Sequence, residues 1–158
     1  MLSRCYNKEY HKNKPTYINC EVCKEWHCFE IFEKWYKDNI YTIDEESIQL
    51  DKDIMVKGNK IYSPDTCIFV PQKINLIFCA QKSELPLGVH HHKGTSKFIA
   101  EIEIDNKQYH LGSFNTLEEA ERAYNMAWKK VVRQRAELYK NRIPNKLYNR
   151  LIEISEEV

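Results

Sequence analysis

The sequence predicts an α+β protein. A three-stranded antiparallel sheet packed on a long helix is expected in residues 85–158, preceded in residues 1–84 by a small mixed helix and hairpin module. Residues 97–104 alternate, with Phe98, Ala100, Ile102 and Ile104 on one side and Lys97, Ile99, Glu101 and Glu103 on the other, the period of a two-faced strand. A Thr-x-x-Glu capping box at Thr116 follows, and then Leu117, Ala120, Ala123, Tyr124, Ala127, Val131 and Leu138 recur at helical spacing. In the first half Trp26, Phe29, Phe32 and Tyr36 recur at helical steps, a stripe that reads as core.

Taken in order, the chain opens with a polar, aromatic stretch, read as mostly irregular with a short helix before His11. The aromatic stripe defines a helix from Glu25 to about Asn39. An acidic loop, Asp44-Glu45-Glu46, leads into "IQLDKDIMVKGNKIYSPDTCIFVP", where Gly58-Asn59 between apolar runs reads as the turn of a small hairpin. Gln72–Phe78 reads as a short helix, and "QKSELPLG" as the boundary between domains. Residues 88–92, 97–104 and 108–114 supply the three strands, with Asp105-Asn106 as the turn between the last two. The long helix runs to about Lys140. Pro144 breaks it before a shorter helix through Leu147, Leu151 and Ile154.

Composition sets bounds. A chain of 158 residues with 42% hydrophobic content can bury a core. No apolar run approaches the roughly 18 residues of a membrane span, and no export signal follows Met1, so the cytoplasm is the expected location. The start at Met1-Leu2-Ser3-Arg4-Cys5 reads as abrupt, as if part of the first module preceded it. Cys20, Cys23 and Cys28 invite a zinc site, but Cys67 and Cys79 lie too far apart to complete one, and reduced buried thiols are expected. Residues 1–84 carry 12 basic against 13 acidic side chains, and residues 85–158 carry 12 against 10. Four of the 6 histidines join the second half. The cluster Lys129, Lys130, Arg133, Arg135, Lys140 and Arg142 stands equally as a solvated helix face or a basic surface.

Gly88-Val89-His90, Lys97-Phe98-Ile99-Ala100-Glu101-Ile102, His110-Leu111-Gly112-Ser113-Phe114, Glu118-Glu119-Ala120 and Ala123-Tyr124 occur in order across about residues 87–130. They closely resemble the Apetala/ethylene-response-factor-type DNA-binding domain, whose pattern is Gly-Val-Arg, Lys-Trp-Val-Ala-Glu-Ile, Trp-Leu-Gly-Thr-Phe, Glu-Glu-Ala and Ala-Tyr. The resemblance implies a sheet in the major groove of double-stranded DNA with a helix behind it. By position His90 and His92 stand where the family usually has arginine, and Phe98 and His110 where it has tryptophan. His90 and His92 should share one strand face and His91 the other. Lys93, Lys97 and Gln108 add donors suited to phosphate or base edges. A histidine offers fewer donors than arginine and carries only part of a charge at neutral pH, so modest affinity that rises on acidification is expected. A metal site from His90, His92 and His110 across neighbouring strands is the alternative reading of the histidine run.

The segment "LDKDIMVKGNKIYSPDTCIFVPQKIN" resembles a block of bacteriophage proteins that join an HNH-type, or His-Me-finger, endonuclease module to such a DNA-binding domain. In active members a histidine after the first-strand aspartate acts as general base, and an asparagine in a Pro-Glu-Asn element supports the metal site. Here Lys52 follows Asp51, and Thr66 follows Pro64-Asp65. The expected protein is therefore a DNA-binding protein of phage or mobile-element origin with a degenerate nuclease module, no catalytic residues and no cofactor. An active nuclease would have to use Asp51, Asp53 and His27 around Mg²⁺. A third reading is an anti-defence protein whose partner is a host protein or protein–nucleic acid complex.

Overall fold

The computed structural model describes residues 1–79 and 85–157. Residues 81–84, within the stretch read as the domain boundary, lie outside the described residues. The chain forms two compact units, Met1–Gln72 and Lys73–Val158.

The first unit opens on two short helices, α1 (Leu2–Tyr6) and α2 (Lys8–Asn13), where one short helix in an irregular segment is expected. Asn7 accounts for the difference. Its extended backbone ends α1, and its side-chain oxygen accepts from the Glu9 and Tyr10 backbone N–H groups to cap α2. After β1 (Glu21–Val22) a single 3₁₀ turn, Lys24–His27, precedes α3 (Phe29–Asn39). That tighter turn changes the helical phase, so the expected aromatic stripe does not hold together. Trp26 is 2% exposed and Phe29 is 68% exposed. Trp35 replaces Phe29 in the packed set, with its ring centroid 4.6 Å from that of Trp26.

Three further strands follow: β2 (Ile48–Asp51), β3 (Ile61–Tyr62) and β4 (Ile68–Pro71). The expected antiparallel pair forms within this segment, but its strands are β2 and β4 at the two ends and not the runs that flank Gly58-Asn59. β2 pairs antiparallel with β4, from Ile48 opposite Pro71 to Asp51 opposite Ile68, while β3 pairs in parallel with β1. The Asn59 side chain holds this path, donating to the Lys52 and Ile61 carbonyls and accepting from Ile61 N–H. The core gathers Cys5, Cys20, Val22, Trp26, Tyr62 and Cys67. Burial pushes the Cys67 thiol up to about 11, as expected of an unreactive core cysteine, whereas Cys28 and Cys79 are exposed. The expected short helix is α4 (Gln72–Phe78), which from Lys73 onward belongs to the second unit, where Ile77 packs against its core.

The second unit is the expected three-stranded antiparallel sheet on a long helix. Its strands are β5 (Val89–His91), β6 (Phe98–Ile104) and β7 (Lys107–Phe114), in that spatial order. Asp105 and Asn106 both take positive φ, 50° and 61°, the paired left-handed turn whose twist suits a tight hairpin. Thr116 and Glu119 form the full capping box of α5 (Leu117–Tyr139). Ala100 and Ala120 are both fully buried, and having no side chain beyond Cβ they let helix and sheet approach closely. Leu138, expected in the helix's inner face, is 64% exposed. Beyond the sheet α5 packs instead on α6 (Asn145–Glu156), and its buried positions become Val132, Ala136 and Tyr139. No helix among the described residues is long and apolar enough to cross a membrane.

Candidate nucleic-acid interface

Strand pleating sends alternate residues of β6 to opposite faces, and cross-strand register carries that division to its neighbours. Val89 lies opposite Ala100 on the buried side, with Ile102, facing α5. On the outward side His90 lies opposite Ile99, Glu101 opposite His110, and Glu103 opposite Gln108. The shift in register between Ala100 and Glu101 keeps His110 and Gln108 on this face.

His90, Gln108 and His110 are thus brought together, exposed, as expected. His91 points the other way, with its ring centroid 4.7 Å from that of Phe98. Phe98 itself is half-buried against the helix-side core, so it does not belong to the outward face. His92 lies one residue past β5, where its backbone N–H donates to the Lys97 carbonyl at 2.9 Å and closes the connecting loop. Its ring is half-buried, with Nδ1 unpartnered among the described residues. Lys93 and Lys97 are exposed at this end of the sheet.

One participant was not among the expected contact residues. The Glu101 carboxylate accepts a hydrogen bond from Gln108 Nε2 at 2.6 Å. His110 Nδ1 lies 3.6 Å from it and His90 Nε2 3.9 Å. The alternation of residues 97–104 puts Glu101 on the outward side, but only the register of three strands reveals what surrounds it.

Half of the basic cluster on α5 and beyond is ion-paired. Arg133 bonds Glu156, Arg135 donates to both carboxylate oxygens of Asp105 at 2.8 and 2.9 Å, and Lys140 lies 3.9 Å from Glu137. These are features of a solvated, salt-bridged helix face.

In the first unit the residues a nuclease would need are engaged elsewhere. Asp51 Oδ1 accepts from the Asp53 and Ile54 backbone N–H groups, both at 2.7 Å. The Asp53 carboxylate is held by Lys52, the one charged side chain buried among the described residues. His27 Nε2 lies 3.2 Å from the Val22 carbonyl. Thr66 donates from its hydroxyl to the Ile61 carbonyl and so stabilises a turn. Among the described residues no group of three or more His, Cys, Asp or Glu side chains is placed to hold a metal ion. That covers both Asp51, Asp53 and His27 and the alternative trio of His90, His92 and His110. Compared with protein-family models, with curated proteins and with solved structures, the chain matches none.

Proposed function

We propose that the second unit binds double-stranded DNA, laying the outward face of β5, β6 and β7 in the major groove. The first unit is read as a catalytically silent, nuclease-like module of a phage or mobile-element protein. The observation that carries this reading is the outward face itself, where His90, Gln108 and His110 stand exposed on a narrow antiparallel ribbon with Lys93 and Lys97 at one end. Three strands at a spacing of about 4.8 Å span roughly 10 Å between outer strand axes. That width suits a groove about 12 Å wide.

Gln108 has the amide geometry that reads adenine, the imidazoles offer single donors to base edges, and the lysines suit phosphates. The test is binding to a random-sequence duplex of about 30 base pairs at low and moderate salt, with and without Mg²⁺, followed by inspection of the DNA for cuts. Salt-sensitive binding to DNA that stays intact is the expected result. Cut DNA would restore the endonuclease reading, with loss of cutting on changing Asp51 as its control.

A second reading is favoured by Glu101, whose carboxylate at the centre of the face is unsuited to phosphate. On that reading the same face engages a host protein or protein–nucleic acid complex, as an inhibitor of host defence would. Absence of duplex binding under all these conditions, together with capture of a defined host partner, would replace the DNA reading with this one.

A further inference from the structure

We infer that Glu101 is a built-in brake on DNA binding by this face, released when His90 and His110 take up protons; the inference rests on the DNA reading above. Glu101 stands on the central strand, and its partners come from both neighbours, His90 on β5 and His110 and Gln108 on β7. The imidazole nitrogens at 3.6 and 3.9 Å lie beyond good hydrogen-bond distance but within ion-pair reach. They are poised to pair with the carboxylate once charged.

The brake acts in two ways. The carboxylate repels phosphate, and it ties up one of the two N–H donors of the Gln108 amide, the face's best adenine-reading group. With both rings neutral the three ionisable groups sum to one negative charge, and with both rings protonated they sum to one positive charge. Imidazole is the side chain whose charge responds to pH near neutrality. The other charges are arranged around this centre: Glu103 opposite Gln108, Lys107 opposite Ile104 at one end, and Lys93 and Lys97 at the other. α5 packs on the opposite side of the sheet, so its charges do not enter the cluster.

The experiment compares affinity for a duplex of about 30 base pairs at about pH 8 and about pH 6, in the full-length chain and its E101Q, E103Q and H90A/H110A variants. E101Q is isosteric and keeps the hydrogen bond with Gln108, so the fold should be kept. The wild type should bind about tenfold tighter at the lower pH, the size expected when the face gains between one and two positive charges in a screened, exposed setting near phosphate. E101Q should bind at pH 8 nearly as tightly as the wild type does at pH 6. E103Q, which lies outside the imidazole pair, should raise affinity to a similar extent at both values, and H90A/H110A should lose the pH response. If the wild type binds but E101Q gains nothing at pH 8, or if wild-type affinity is flat with pH, the brake is overturned and the DNA reading stands. If neither the wild type nor any variant binds at either pH, the DNA reading falls and takes the brake with it.

Discussion

Lys52 Nζ lies 2.7 Å from both carboxylate oxygens of Asp53, its neighbour in sequence, and 2.9 Å from the Asn59 carbonyl, with only 7% of the lysine side chain exposed. Adjacent residues of a regular strand point to opposite faces, so this pair exists only because β2 ends at Asp51 and the chain turns. Removing a buried ammonium from its partner is destabilising, and the half-exposed Asp53 limits the effect because water can solvate the carboxylate left behind. Lys52→Ala should lower stability by about 2 kcal/mol. Lys52→Met should recover part of the loss, since its chain restores the stem's packing. Urea unfolding of the three proteins checks this, and an unchanged midpoint in Lys52→Ala would rule out a structural role for the pair.

Asp51 makes the turn at a cost. Burial raises its carboxyl above the usual range, while the N–H groups of Ile54 and Asp53 pull the other way. A carboxyl that holds its proton more tightly folded than unfolded penalises the folded state when ionised. The penalty is complete above the raised folded value and is relieved as pH falls from there toward the ordinary carboxyl range. Asparagine keeps the accepting oxygen and drops the charge. Asp51→Asn should therefore equal or exceed the wild type in stability at neutral pH, and the difference should shrink on acidification through that window. Chemical denaturation at a series of pH values measures it; a variant weaker than the wild type at neutral pH would show that the charge itself is needed.

Gly88 has a physical reason to be glycine. Its φ is +71°, and a Cβ there would come within 2.1 Å of the Tyr124 ring and 2.4 Å of the Glu101 carbonyl. Gly58 has a similar φ of +74°, yet nothing lies within 4 Å of where its Cβ would be. The pair separates conformational strain from collision. Gly58→Ala should cost about 1 kcal/mol, and Gly88→Ala at least about 3 kcal/mol, because the chain must move or the β5 end must detach from α5. Thermal unfolding of both variants is the measurement, and equal losses would contradict the packing at Tyr124.

What could be read from the sequence was local. The alternation of residues 97–104, the Asp105-Asn106 turn and the Thr116 capping box each carry their signal within a few residues, and all three stand in the fold. The pairing of β1 with β3 joins Glu21 to Ile61 across the length of the first unit, and no short pattern encodes it. A single helical period from Trp26 onward would put Phe29 in the core, and the 3₁₀ turn before α3 breaks that period and leaves Phe29 exposed. On the outward face the sequence identified His90, Gln108 and His110 one by one. It left out Glu101, whose importance comes from standing opposite His110 and beside His90, a property of strand register.

The last prediction concerns the proposed contact residues. Lys97 is exposed at the end of the sheet where β5 meets β6, and His90 is exposed midway along β5. On the DNA reading, Lys97 neutralises a phosphate and releases a counterion, while His90 offers an imidazole donor on the outward face. Replacing both by alanine should weaken duplex binding several-fold and lower the slope of log affinity against log salt by roughly one. Lys130 on α5 is also an exposed cation but lies on the element behind the sheet, so Lys130→Ala serves as a control that should change neither quantity appreciably. Equal effects of the two replacements would mean that DNA is held by diffuse charge over the whole unit, and the outward face would lose its assignment.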